Sequence, residues 1–168
     1  MSIPTEKVKE LREQSGAGIM DCRKALIEAE GVIEKALEIL KERNLLKAEK
    51  KSKRATSEGR IEAYIHAGAR IGAMVEVNCE TDFAARTDEV KELSHCLAMQ
   101  VAAMSPQFIS PEEVPEGTDI EAQTACLLLQ PYIKNPGMTV QDTINQTIAK
   151  VGENIRVSRF VRFELGEE

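Results

Sequence analysis

The chain has 168 residues, 42% apolar and 30% charged, with a net charge of −6 at pH 7. That length holds a real core in one domain, or one domain with a small appendage. The acidic balance argues against a general nucleic-acid binder, and no apolar run approaches the roughly 18 residues of a membrane span.

The first stretch reads as three short helices. Thr5 to Gln14 carries Val8 and Leu11 on one face, and Gly16 is placed for a left-handed cap. Ile19 to Ala29 carries Cys22, Ala25, Leu26 and Ala29 at helical spacing, and Val32 to Arg43 repeats the pattern with Ile33, Ala36, Leu37 and Leu40. Such a bundle has a small core and needs a surface to dock on. Lys47, Lys50, Lys51, Lys53 and Arg54 follow against one acid, Glu49. With no aromatic to stack on bases, this reads as a solvated helix end and hinge rather than an RNA-facing patch.

An alternating region comes next. Ile61, Ala63 and Ile65 define one strand, expected to bury that face. Ile71, Ala73, Val75 and Val77 define a second, joined to it by a hairpin through Gly68. The second strand runs into Thr81-Asp82-Phe83-Ala84, and a long amphipathic helix, Thr87 to Met104, runs out. At that junction the residues leave two readings open. Asp82 is a helix N-cap with Phe83 folded into the core, or the turn projects a carboxylate and a ring toward another protein.

Ser105 to Asp119 reads as a proline-rich loop with one short strand, Ala122 to Gln130 as a helix, and Asn135-Pro136-Gly137 as a turn. Thr139 caps a helix over Val140 to Val151, closed by Gly152. Ile155 to Leu165 is a third strand, with Arg156, Arg159 and Arg162 spread over both of its faces.

The reading is thus α+β: a three-helix bundle at 1–46, a basic linker at 47–58, and a core at 59–168 with a three-stranded antiparallel sheet packed by helices. Three strands leave two edges and one uncovered side, which invites pairing with another chain. Cys22, Cys79, Cys96 and Cys126 have no paired spacing, so free thiols are expected and no metal or other cofactor. No phosphate loop or nucleophile set appears, so covalent catalysis is not expected. The start lacks the features of a secretory signal, and the expected compartment is the cytoplasm.

Four segments carry a resemblance. Residues from Val8 to Leu26, from Glu76 to Arg86, from Gln130 to Asn135 and from Gly152 to Val157 resemble, in order, the signatures of the translation elongation factor Ts family. The resemblance implies a guanine-nucleotide exchange factor for elongation factor Tu, with the bundle similar to a ubiquitin-associated domain. It implies that Thr81, Asp82, Phe83 and Ala84 dislodge Mg²⁺ from elongation factor Tu, and that Arg12, Ile19, Met20 and Arg23 form the docking face. The family commonly has Thr at Ser15, Met at Ile19 and Lys at Arg23. Long members carry two core subdomains; this chain resembles the short ones, which implies a homodimer and a two-plus-two complex, with no membrane or direct nucleic-acid partner. The alternative is a non-catalytic protein-binding module.

Overall fold

The computed structural model describes residues 3–167. Helices α1 (Thr5–Ser15), α2 (Ile19–Glu28) and α3 (Ile33–Glu49) form the N-terminal bundle. Val8, Leu11, Cys22, Ala25, Leu26, Ala36 and Leu40 close a core of their own. α1 stops at Gly16, whose φ of +59° is left-handed and whose N–H returns 2.7 Å to the Arg12 carbonyl. α3 continues past Arg43 to Glu49, so Lys47 is helical, and Ala48 is buried in the second core.

The rest of the chain runs β1 (Glu58–Ile65), β2 (Ile71–Cys79), α4 (Asp82–Ala85), α5 (Asp88–Met104), α6 (Ala122–Ala125), β3 (Pro131–Tyr132), β4 (Asn135–Thr139), α7 (Val140–Val151) and β5 (Ile155–Glu164). β1, β2 and β5 form an antiparallel sheet in that order. Ala73, Val75, Val77 and Cys79 of β2 are buried in one cluster with Val90, Leu93, Leu97 and Val101 of α5 and Ile144 and Ile148 of α7. Thr139 and Asp142 form a reciprocal capping box at the start of α7, as the local pattern requires.

The bundle docks on this core through α3 and α7. Lys41 Nζ donates 3.1 Å to the Gly137 carbonyl and lies 3.9 Å from Asp142. Lys47 pairs with Asp21 at 3.6 Å across the bundle.

Several expectations change. Ile61, Ala63 and Ile65 do not face the helices. The register sets Arg60, Glu62 and Tyr64 opposite Val77, Val75 and Ala73, so these polar side chains share the covered face. Arg60 pairs there with Glu62 through its terminal nitrogen, while its buried Nε has no hydrogen-bond partner among the described residues, and the Tyr64 ring meets His95 of α5 edge-on at 5.8 Å. Ile61 and Ile65, with Met74, Val161 and Phe163, are exposed on the opposite face. That face carries no cysteine, since all four thiols are buried and free.

In β5 the register slips at Ser158, between Val157, opposite Val77, and Arg159, opposite Glu76. The bulge brings Arg156 and Arg159 to the same, open face, while Arg162 lies on the other and donates 3.1 Å to the Ala102 carbonyl. Ala122 to Gln130 is not one helix: α6 is a single turn, Cys126 is extended and bridges Phe108, and a 3-10 turn follows. Asn135-Pro136-Gly137 is not a bare turn but the start of β4, paired with β3 in a two-stranded ribbon. Met104, the last residue of α5, is exposed.

Candidate functional site

β2 ends at Cys79, and the chain turns through Glu80 into α4. The cap of α4 is Thr81, not Asp82: its backbone is extended (φ −130°) and its Oγ1 accepts from the Ala84 N–H at 3.2 Å. Asp82 is the first helical residue, where a carboxylate complements the helix N-terminus, and it pairs with Arg86 at 2.9 Å one turn on. Ala84 and Ala85 are buried in the main core. In so short a helix, two small residues turned inward leave Asp82 and Phe83 turned outward. Phe83 is 79% exposed, so the ring does not fold into the core.

An exposed one-turn helix does not hold itself together. Its fixed pose comes from residues that local sequence patterns did not single out for this role. The Glu153 carboxylate accepts from the Thr81 N–H at 3.0 Å and from the Thr81 hydroxyl at 2.7 Å. The next N–H, of Asn154, donates to Glu80 Oε1 at 2.7 Å. The buried Asn154 amide donates to the carbonyls of Arg54 (2.9 Å) and Ser52 (3.3 Å). The segment leading out of α3, the β2–α4 turn and the start of β5 thus meet at one point. The signal available in sequence was the Gly152-Glu153-Asn154 motif itself, without its partner.

Cys79 lies beneath the turn and donates to the Thr81 carbonyl at 3.1 Å. Burial pushes its thiol up, and the nearby Glu153 carboxylate adds to the effect. Neutral and enclosed, it is not a nucleophile. Among the described residues no group of His, Cys, Asp and Glu is arranged to hold a metal ion.

The second set of sequence-identified residues sits on the bundle. Arg12 lies on the outer side of α1, and Ile19, Met20 and Arg23 on the outer side of α2, opposite buried Cys22, Ala25 and Leu26. Ile19 and Met20 are more than half exposed, an unusual placement for two adjacent large apolar residues. Ile27 is exposed one turn beyond Arg23 and was not singled out from the sequence. A cleft of about 470 Å³ between α3 and the β4–α7 region, lined by Leu37, Lys41, Asn44 and Met138, includes no residue of either set.

The elongation factor TS family model matches residues 6–122. The elongation factor Ts of Carboxydothermus hydrogenoformans is 48% identical, across 98% of this chain and 90% of its own length. That of Thermotoga neapolitana is 48% identical across the whole of both chains, and that of Heliobacterium modesticaldum 49% across 98% and 91%. These alignments span 195 to 197 positions, more than the 168 residues here, so the relatives carry positions without a counterpart in this chain.

Proposed function

The chain belongs to the elongation factor Ts family of translation elongation factors, and on that premise we propose that it is a guanine-nucleotide exchange factor for elongation factor Tu. The single observation that carries the mechanism is the pose of Phe83, presented to solvent on a capped turn whose inner side is locked into the core. Asp82 and Phe83 enter the region of the Mg²⁺ bound by elongation factor Tu, with Thr81 and Ala84 fixing the turn. Arg12, Ile19, Met20 and Arg23 hold the bundle on the GTPase domain.

The energetics need no covalent step. The factor binds more tightly to the form whose metal and phosphate contacts are disturbed, and so shifts the partner toward it. By linkage, GDP weakens the factor's binding by the same ratio that the factor weakens GDP, each factor of ten corresponding to about 1.4 kcal/mol. The protein acts in the cytoplasm as a homodimer. Ile61, Ile65, Met74, Val161 and Phe163, exposed on a sheet face that no helix covers among the described residues, support an isologous sheet-to-sheet contact.

Release of a fluorescent GDP from elongation factor Tu, followed by stopped flow, tests this reading. Acceleration that collapses in the Asp82→Ala/Phe83→Ala variant is the expected result. Binding without acceleration by the wild-type protein would replace it with the non-catalytic binding module.

A further inference from the structure

We infer that Glu153 is a positioning residue for exchange: its carboxylate sets the pose in which the Thr81 turn presents Asp82 and Phe83. The inference rests on the exchange reading for its functional consequence, and on geometry alone for the clasp itself.

Three features support it. First, Glu153 uses both oxygens on one residue, taking the Thr81 N–H and hydroxyl at 3.0 and 2.7 Å. A bidentate grip fixes orientation as well as distance. Second, the gripped hydroxyl is the same atom that caps α4 through the Ala84 N–H at 3.2 Å. With the hydroxyl proton committed to Glu153, an oxygen lone pair is left aimed at Ala84. Third, Glu153 is itself held. Gly152 before it closes α7 in the left-handed conformation at φ +84°. Asn154 after it is tied to Glu80 and to the carbonyls of Ser52 and Arg54. The carboxylate therefore approaches from a fixed backbone, and the segment descending from the docking bundle shares that anchor.

Glu153 grips the Thr81 N–H and hydroxyl, which lie behind the outward side chains of Asp82 and Phe83. Its loss would leave the core, Ala84 and Ala85 in place and let the outward half of the turn wander. Affinity carried by the bundle would persist while the exchange step slowed.

The test uses the full-length protein with Glu153→Ala and Glu153→Gln. In the free protein, amide hydrogen exchange at Thr81 and Ala84 should rise roughly tenfold in Glu153→Ala, the scale of one lost hydrogen bond to a charged group. It should return toward wild type in Glu153→Gln, whose amide oxygen accepts the Thr81 N–H and whose NH₂ donates to the hydroxyl. With elongation factor Tu, the maximal GDP-release rate should fall about tenfold in Glu153→Ala, the half-saturating concentration shifting far less, and Glu153→Gln should restore most of the rate. Unchanged protection in Glu153→Ala overturns the clasp. Increased amide exchange with an unchanged maximal rate overturns its role in the reaction. Protection that responds as described, with no acceleration by the wild-type protein, overturns both that role and the exchange reading while leaving the clasp standing.

Discussion

Ile65 lies across Gly72: a Cβ added at Gly72 would stand 2.7 Å from Ile65 Cδ1. Gly72 pairs with Ile65 on one side and Phe163 on the other, so the missing side chain leaves room between two large apolar neighbours. Met74, 46% exposed, follows on the same face, opposite Ala63 and Val161. In a two-fold contact every substitution counts twice. Met74→Lys would bury two charges against apolar surface, a penalty of several kcal/mol (about 1.4 kcal/mol per factor of ten in affinity). Sedimentation at micromolar concentration should show a dimer for the wild type and a monomer for Met74→Lys, with the far-ultraviolet circular dichroism unchanged. A monomeric wild type at that concentration would remove the sheet-to-sheet dimer.

Phe83 and Ala84 are adjacent and should fail in opposite ways. Phe83→Ala removes a ring that rests mostly in solvent, and the urea midpoint should correspond to a change within about 0.5 kcal/mol. GDP release from elongation factor Tu should nonetheless lose most of its acceleration. Ala84→Leu forces extra carbons into a site that is only 2% exposed, and should destabilise by about 1–3 kcal/mol. A large stability loss in Phe83→Ala would place the ring in the core and undo the projecting turn.

The parts of this fold legible in the sequence are those fixed locally. Gly16, Thr139 and Gly152 mark helix ends because a left-handed cap or a capping box needs only neighbouring residues. Period-two alternation located β1, but alternation does not say which face meets a helix. That is decided by pairing with β2, and it turned Ile61 and Ile65 outward. Asn135-Pro136-Gly137 has turn chemistry, yet in a two-stranded ribbon a proline at an open edge loses nothing. Motif and junction drew attention to Thr81-Asp82-Phe83-Ala84, whereas Glu153, their support, lies 72 residues away and has no local spacing to reveal it.

The thiols give a pH prediction. Burial raises the pKa of Cys79 and of Cys126 above the ordinary thiol value. Above about pH 8.5 the unfolded chain releases these protons while the folded chain keeps them, so stability falls as pH rises through that range. Urea midpoints should drop between pH 7.5 and 9.5, and Cys79→Ala should flatten the slope. At pH 8 a thiol reagent should label the native protein slowly and all four cysteines rapidly in denaturant. Fast labelling of Cys79 in the native state would mean that the turn above it opens readily.

Gln100 and Gln130 form a buried polar pair that joins α5 to the segment before β3. Gln100 donates 3.1 Å to the Gln130 side-chain oxygen and 3.1 Å to the Pro131 carbonyl, and accepts from the Ile133 N–H at 2.8 Å. Gln130 in turn donates 2.7 Å to the Thr124 carbonyl and 3.4 Å to that of Met104. A satisfied network of this kind specifies how an irregular segment lies on a helix, and it suffers when halved. Gln130→Leu strands the Thr124 carbonyl and one donor of Gln100, and each buried group left without a partner costs about 1–3 kcal/mol. Gln100→Leu similarly strands the Ile133 N–H and the Gln130 oxygen. Because both variants break the same central bond, the double variant should be less destabilised than the sum of the two by about 1 kcal/mol or more. Urea unfolding of the four proteins measures that difference. Strict additivity would show that the two amides act separately and that burial of Leu127 and its neighbours, rather than this network, holds the segment to α5.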